Sequence, residues 1–97
     1  MQDYEMVLVI SPEVEIAEEE TNPVVDKVVK LITGKGGTIT EISRWGKRKL
    51  AYPIRKFTEG EYVLTQFKME PTVTKELEAS LRLSEEILRH LLIRLNS

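Results

Sequence analysis

The chain has 97 residues, enough for one domain and too few for two. It contains no cysteine, which excludes disulfides and thiolate metal sites, and no run approaches the ~20 apolar residues of a membrane span. A net charge of -2 and a pI near 5.5 argue against a uniformly basic nucleic-acid binder.

Residues 3–10, DYEMVLVI, read as a strand that is nearly continuous in apolar character after Glu5. Tyr4, Met6, Leu8 and Ile10 share one face and Val7 and Val9 the other, as in a central strand. The opening MQDYEMVLVISPE lacks a basic region and a small-residue cleavage site, so it does not read as a signal peptide. An acidic lead-in over 13–20 follows. Thr21-Asn22-Pro23 predicts a helix start, with proline at the first helical position. Val24, Val25, Val28, Leu31 and Ile32 recur at helical spacing, and Gly34, Gly36 and Gly37 predict its left-handed cap.

Alternation over 38–52 predicts a long strand, with Thr38, Thr40, Ile42 and Arg44 on one face and Ile39, Glu41, Ser43 and Trp45 on the other. Gly46 marks a bulge or a close approach, and Pro53 restricts this strand to an edge at its far end. Residues 55–60 read as a loop and 61–69 as a third strand. Pro71 opens a second helix carrying Val73, Leu77 and Leu81 at i, i+4, i+8, and 86–95 is the fourth strand. The order β-α-β-β-α-β predicts an α+β, ferredoxin-like single domain over 1–97. Its four-stranded antiparallel sheet has two helices on one face. The first and third strands are then central. Val7, Val9, Leu64 and part of the fourth strand face away from the helices, and an uncovered apolar face marks a binding surface.

Few residues suit catalysis. His90 alternates with Leu88 and Leu92 and has no nucleophile or metal-ligand spacing around it, so a packed strand histidine is the simpler reading. Glu18-Glu19-Glu20 reads as a solvated run before a helix. Gly34-Lys35-Gly36-Gly37 closes a helix and opens a strand, the reverse of a phosphate-binding loop's context. No metal or cofactor is expected, and no enzymatic activity.

Charge is the informative feature. Residues 1–26 sum to -8, 27–56 to +8 and 57–97 to -2. RWGKRK, residues 44–49, places four cations and an indole in six residues. Arg44, Lys47, Arg48, Lys49, Arg55 and Lys56, interleaved with Trp45 and Tyr52, make a phosphate-binding footprint, to which Arg89 and Arg94 add cations on the other edge strand. The competing reading is an edge strand charged only to prevent sheet-to-sheet pairing. That accounts for the sign of the charge but not its density.

At these residues the chain resembles a known family. Gly46-Lys47-Arg48-Lys49-Leu50-Ala51-Tyr52-Pro53-Ile54-Arg55 is similar to the signature of the sixth protein of the bacterial small ribosomal subunit, often preceded by tryptophan as here. Tyr4-Glu5, Ser11-Pro12, Gly36-Gly37, Tyr62-Val63-Leu64, Leu77-Glu78, Arg89 and Arg94 extend the likeness across the chain. The resemblance implies a ferredoxin-like structural protein of the bacterial ribosome, in the cytoplasm, although an organellar origin fits the same residues. It implies binding to the central domain of small-subunit ribosomal RNA as a heterodimer with the eighteenth small-subunit protein, and no membrane. Trp45, Tyr52, Val7, Val9 and Leu64 are the expected contacts to the protein partner. Two features depart from the family. Gln2-Asp3 stands where a basic residue usually precedes Tyr4, and the sequence closes at Ser97 where many relatives carry a polar or acidic tail. The alternatives are a regulatory or small-ligand domain that self-associates through its sheet, and an RNA-binding domain that stacks bases on the open faces of its first and third strands. The second lacks the required aromatics, because Tyr62 and Phe67 point to opposite faces.

Overall fold

In a computed structural model the described residues are 1–12 and 23–95. The elements run β1 (Gln2–Ile10), α1 (Pro23–Gly34), β2 (Thr38–Ile54), β3 (Phe57–Met69), a 3-10 turn (Pro71–Val73), α2 (Thr74–Arg82) and β4 (Ile87–Arg94). All strand pairs are antiparallel and the sheet order is β2-β3-β1-β4. The first and third strands are central, as the β-α-β-β-α-β order requires. The acidic lead-in, including Glu18-Glu19-Glu20, and the cap position Thr21-Asn22 lie outside the described residues.

Period-2 alternation assembles the core. Tyr4, Met6, Leu8 and Ile10 of β1 lie beside Val63, Phe67 and Met69 of β3 and are buried. Val24, Val25, Val28 and Ile32 of α1 close over them together with Leu77 and Leu81 of α2. Both helices therefore cover one face of the sheet. Thr65 is fully buried within this face, and its hydroxyl donates to the Met6 carbonyl at 3.2 Å. A buried polar group is thereby satisfied across the ladder.

Helix α1 ends as its glycines predict. The Gly37 N–H donates to the Ile32 carbonyl at 2.9 Å and the Gly36 N–H to the Thr33 carbonyl at 3.1 Å, with Gly36 at φ 84°. These are the paired bonds of a left-handed helix cap. At the second helix, Pro71 opens the 3-10 turn, and the Thr74 hydroxyl donates to the Pro71 carbonyl at 2.8 Å.

Two expectations change in β2 and β3. Strand β2 carries an extra residue at Thr40, because pairing steps from Ile39–Phe67 directly to Glu41–Gln66. The bulge inverts the alternation beyond it. Ile39, Ile42 and Arg44 consequently share the helix side, while Thr38, Glu41 and Ser43 lie opposite open-face residues of β3. The loop expected over 55–60 is instead a hairpin. β3 begins at Phe57, and only Arg55 and Lys56 make the turn. Arg55 adopts φ 57°, a left-handed conformation unusual for a side chain other than glycine or asparagine. No glycine marks the turn, so the sequence gives no local sign of it.

Candidate nucleic-acid interface

Strand β1 ends opposite Glu61, so β2 beyond Lys47 and β3 before Glu61 continue as a two-stranded ribbon past the edge of the sheet. The signature Gly46–Arg55 forms one side of that ribbon. A second bulge occurs where it begins, since pairing steps from Arg44–Val63 to Gly46–Tyr62 and leaves Trp45 as the extra residue. Gly46 has φ 85° and open space around its Cα. A Gly46→Ala variant should thus lose about 1 kcal/mol of stability from backbone strain alone, and Gly46→Asn should recover part of it. Equal stability of all three in urea titrations would show that the bulge relaxes.

The bulges sort the expected cations onto different faces. Lys47 pairs with Glu61 and Lys49 with Glu59, on the helix side. Arg48 pairs with Gly60 on the open side, and its guanidinium sits 5.7 Å from the Trp45 ring centroid. Arg44, on the helix side, is occupied. Its Nε and Nη2 both donate to Glu61 Oε1, at 3.0 and 2.7 Å, and Glu61 is only 6% exposed. A carboxylate this buried requires a cation, which makes Arg44 primarily a structural partner. At the turn, Arg55 Nη1 donates to the Glu85 carbonyl at 2.8 Å, and Lys56 Nζ lies 5.6 Å from the Phe57 ring centroid.

The two arginines of β4 separate. Arg89 pairs with Val9 on the open face and donates from Nη1 to the Tyr52 hydroxyl at 2.9 Å. Arg94 pairs with Tyr4, on the helix side. Five residues along a strand place it about 17 Å from Arg89, at the other end of the sheet. Among the described residues, Lys47 and Lys49 form no ion pair and are exposed. They share one side of the ribbon.

The expected protein contacts divide as well. Trp45 and Tyr52 are exposed, and Val7 and Leu64 are half-buried neighbours on the open face. Val9 is 4% exposed and supplies no surface. Tyr62 and Arg89 flank it in register, and it lies so close to Gly60 that a Cβ there would come within 2.7 Å of Val9 Cγ1. Alternation reveals which face Val9 takes but not this crowding. Leu91 and Ile93, exposed beside Val7 and Glu5 on that face, extend the apolar surface. They were implicit in the fourth strand's alternation.

Other features bear on the alternatives. An apolar groove on the helix side is lined by Val28, Leu31, Leu81 and Leu83, with Lys27 and Glu86 at its rim. These two rim charges pair with one another at 2.9 Å. Among the described residues no group of three metal-ligating side chains occurs, and no helix is long and apolar enough to cross a membrane. His90 pairs with Leu8 on the helix side and is half-buried.

A profile of the family described as ribosomal protein S6 matches residues 3–94. The chain belongs to the ribosomal protein S6 family. It is 46% identical over 95 residues to the small ribosomal subunit protein bS6 of Moorella thermoacetica, covering 98% of this chain and 95% of that one. The bS6 of Desulforamulus reducens is 43% identical over 94 residues, covering 97% of each. A crystal structure of 30S ribosomal protein S6 from Thermotoga maritima superposes with a TM-score of 0.85 at 36% identity, covering 97% of this chain and 87% of that one. The family assignment makes this a protein of the small ribosomal subunit with the ferredoxin-like S6 fold. Gln2 is buried, and its Nε2 donates to the Leu95 carbonyl at 2.6 Å, which closes β1 against the end of β4.

Proposed function

We propose that this protein is a structural component of the small ribosomal subunit. It binds the central domain of 16S-type ribosomal RNA together with the eighteenth small-subunit protein. Its contribution is placement and not catalysis. The observation that carries the reading is the projecting β2–β3 ribbon, on which Lys47 and Lys49 are exposed and without ion-pair partners among the described residues. Cations held on a projecting ribbon neutralise phosphates and release counterions without needing to read bases. The protein partner is assigned to the open face, where Val7, Leu64, Leu91 and Ile93 leave apolar surface uncovered. A chain of net charge -2 gains too little from phosphate contacts alone, so a basic partner completes the site.

The test is fluorescence anisotropy of a labelled central-domain RNA fragment, titrated with this protein, the partner protein, or both, at several salt concentrations. Binding of this protein is expected only in the presence of the partner. Replacing Lys47 and Lys49 singly by glutamine should each reduce the salt slope by about one. Tight binding by the lone protein near physiological salt would contradict co-assembly. Absence of binding under every condition would return the ribbon to an edge charged against self-association.

A further inference from the structure

The ribbon that carries Lys49 has little internal support. Ladder pairing stops after Lys49–Glu59 and resumes at Ile54–Phe57, so Leu50, Ala51, Tyr52 and Pro53 together face Thr58 alone. Pro53 has no N–H to offer in any case. Strand β1 does not extend alongside, because it ends opposite Glu61. A two-stranded segment without a third strand or a helix behind it is marginal in water, and a break in its ladder leaves its direction free. Among the described residues, two hydrogen bonds from far along the chain hold that direction. Arg55 Nη1 reaches the Glu85 carbonyl at 2.8 Å, and Arg89 Nη1 reaches the Tyr52 hydroxyl at 2.9 Å. Both tie the ribbon to the start of β4, on the far side of β1 in the sheet order.

The faces separate these roles. Lys47 and Lys49 lie on the helix side of β2, while Arg89 lies on the open face beside Val9. A phosphate run that meets both lysines is therefore on the other side of the sheet from Arg89. We infer that Arg89 is a positioning residue that acts through Tyr52: it latches the ribbon to β4 and so aims Lys47 and Lys49, and it is not itself a phosphate ligand. This inference rests on the RNA-binding reading above, and the experiment separates the two.

The variants are Tyr52→Phe, Arg89→Gln and their double, with Lys47→Gln as the control, assayed with the partner protein on the same RNA across salt. Tyr52→Phe changes no charge, so it cannot remove a counterion-releasing contact. Each latch variant should weaken binding by about 3- to 10-fold, the range of one modest hydrogen bond. The double variant should be within about 2-fold of the worse single, as expected for two partners of one interaction. The salt slope should stay at its wild-type value in all three, and fall by about one in Lys47→Gln. In hydrogen exchange on the free protein, amides of residues 50–58 should open faster in both single variants, with β1 unchanged. A slope reduced by about one in Arg89→Gln, with wild-type affinity in Tyr52→Phe, would make Arg89 a phosphate ligand and overturn the inference. Wild-type affinity in both variants would overturn it as well. If the wild-type complex does not bind RNA, the RNA reading fails by itself. Exchange then decides the latch: faster opening of 50–58 in both variants supports it, and unchanged opening overturns it.

Discussion

Replacing Phe67 by alanine should lower the unfolding free energy by about 3–5 kcal/mol. Phe67 lies on central strand β3 and is 1% exposed, and it pairs with Tyr4 on one side and Ile39 on the other. Its ring stacks on Tyr4 at 5.7 Å between centroids, with planes 26° apart. The substitution removes a large buried side chain and leaves a cavity bounded by strands on both sides, which cannot close without breaking ladder bonds. The lost aromatic pair accounts for about 0.5–1.5 kcal/mol of the total. Small domains hold only about 5–15 kcal/mol in all, so the variant should sit near the edge of folding. A melting temperature lowered by at least about 12 °C is the corresponding thermal signature. Urea titration gives the free energy directly. A loss below about 1.5 kcal/mol would mean that the helices settle into the vacated space. Phe67→Leu, which keeps most of the volume, should cost far less.

The second large effect concerns Glu61. Arg44→Leu should cost about 1.5–3 kcal/mol, because it leaves a nearly buried carboxylate without the two charge-assisted hydrogen bonds it now accepts. Lys47 pairs directly with Glu61 in the ladder and offers a second cation, which holds the cost below that of a fully isolated charge. Replacing both members by leucine should return stability to within about 1 kcal/mol of wild type, since the expensive group has gone with its partner. A double-mutant cycle on chemical denaturation measures the coupling. If Arg44→Leu is equally damaging whether or not Glu61 is present, then Arg44 matters through its methylene packing and not through the pair. Loss of the pair should also release β2 at the bulge, because Arg44 is the last paired residue before Trp45.

The sequence discloses the fold where physics is local. The alternation of Tyr4, Met6, Leu8 and Ile10, the helical spacing of Val24, Val28 and Ile32, and the glycines after α1 each carry their own signal, and the element order follows from them. The site is less legible because it depends on register. An extra residue at Thr40 reverses the faces of β2 without any glycine or proline to announce it, whereas Gly46 does mark the second bulge. The turn at Arg55-Lys56 uses a left-handed arginine, a conformation the residue type does not suggest. Composition located the basic segment, yet it could not distinguish Arg44, engaged by Glu61, from Lys47, which is not. Arg89 and Arg94, five residues apart on one strand, occupy opposite faces as alternation requires, but the Arg44–Glu61 engagement arises only when strands distant in sequence are laid side by side.

The sheet order has a consequence for the order of synthesis. β1 is the first strand to leave the ribosome that makes it, yet its two neighbours are β3 and β4. Until β3 emerges, the apolar residues of β1 have no ladder partner, and one side of it stays open until residues 87–94 are available. The β2–β3 hairpin needs only its own segment and can close earlier. The nascent chain therefore carries an unpaired, apolar first strand for most of its elongation, and completion of the sheet waits on the last described strand. The same connectivity couples the two ends of the domain: Gln2 and Leu95 meet only when folding is finished, so their hydrogen bond reports the closed molecule.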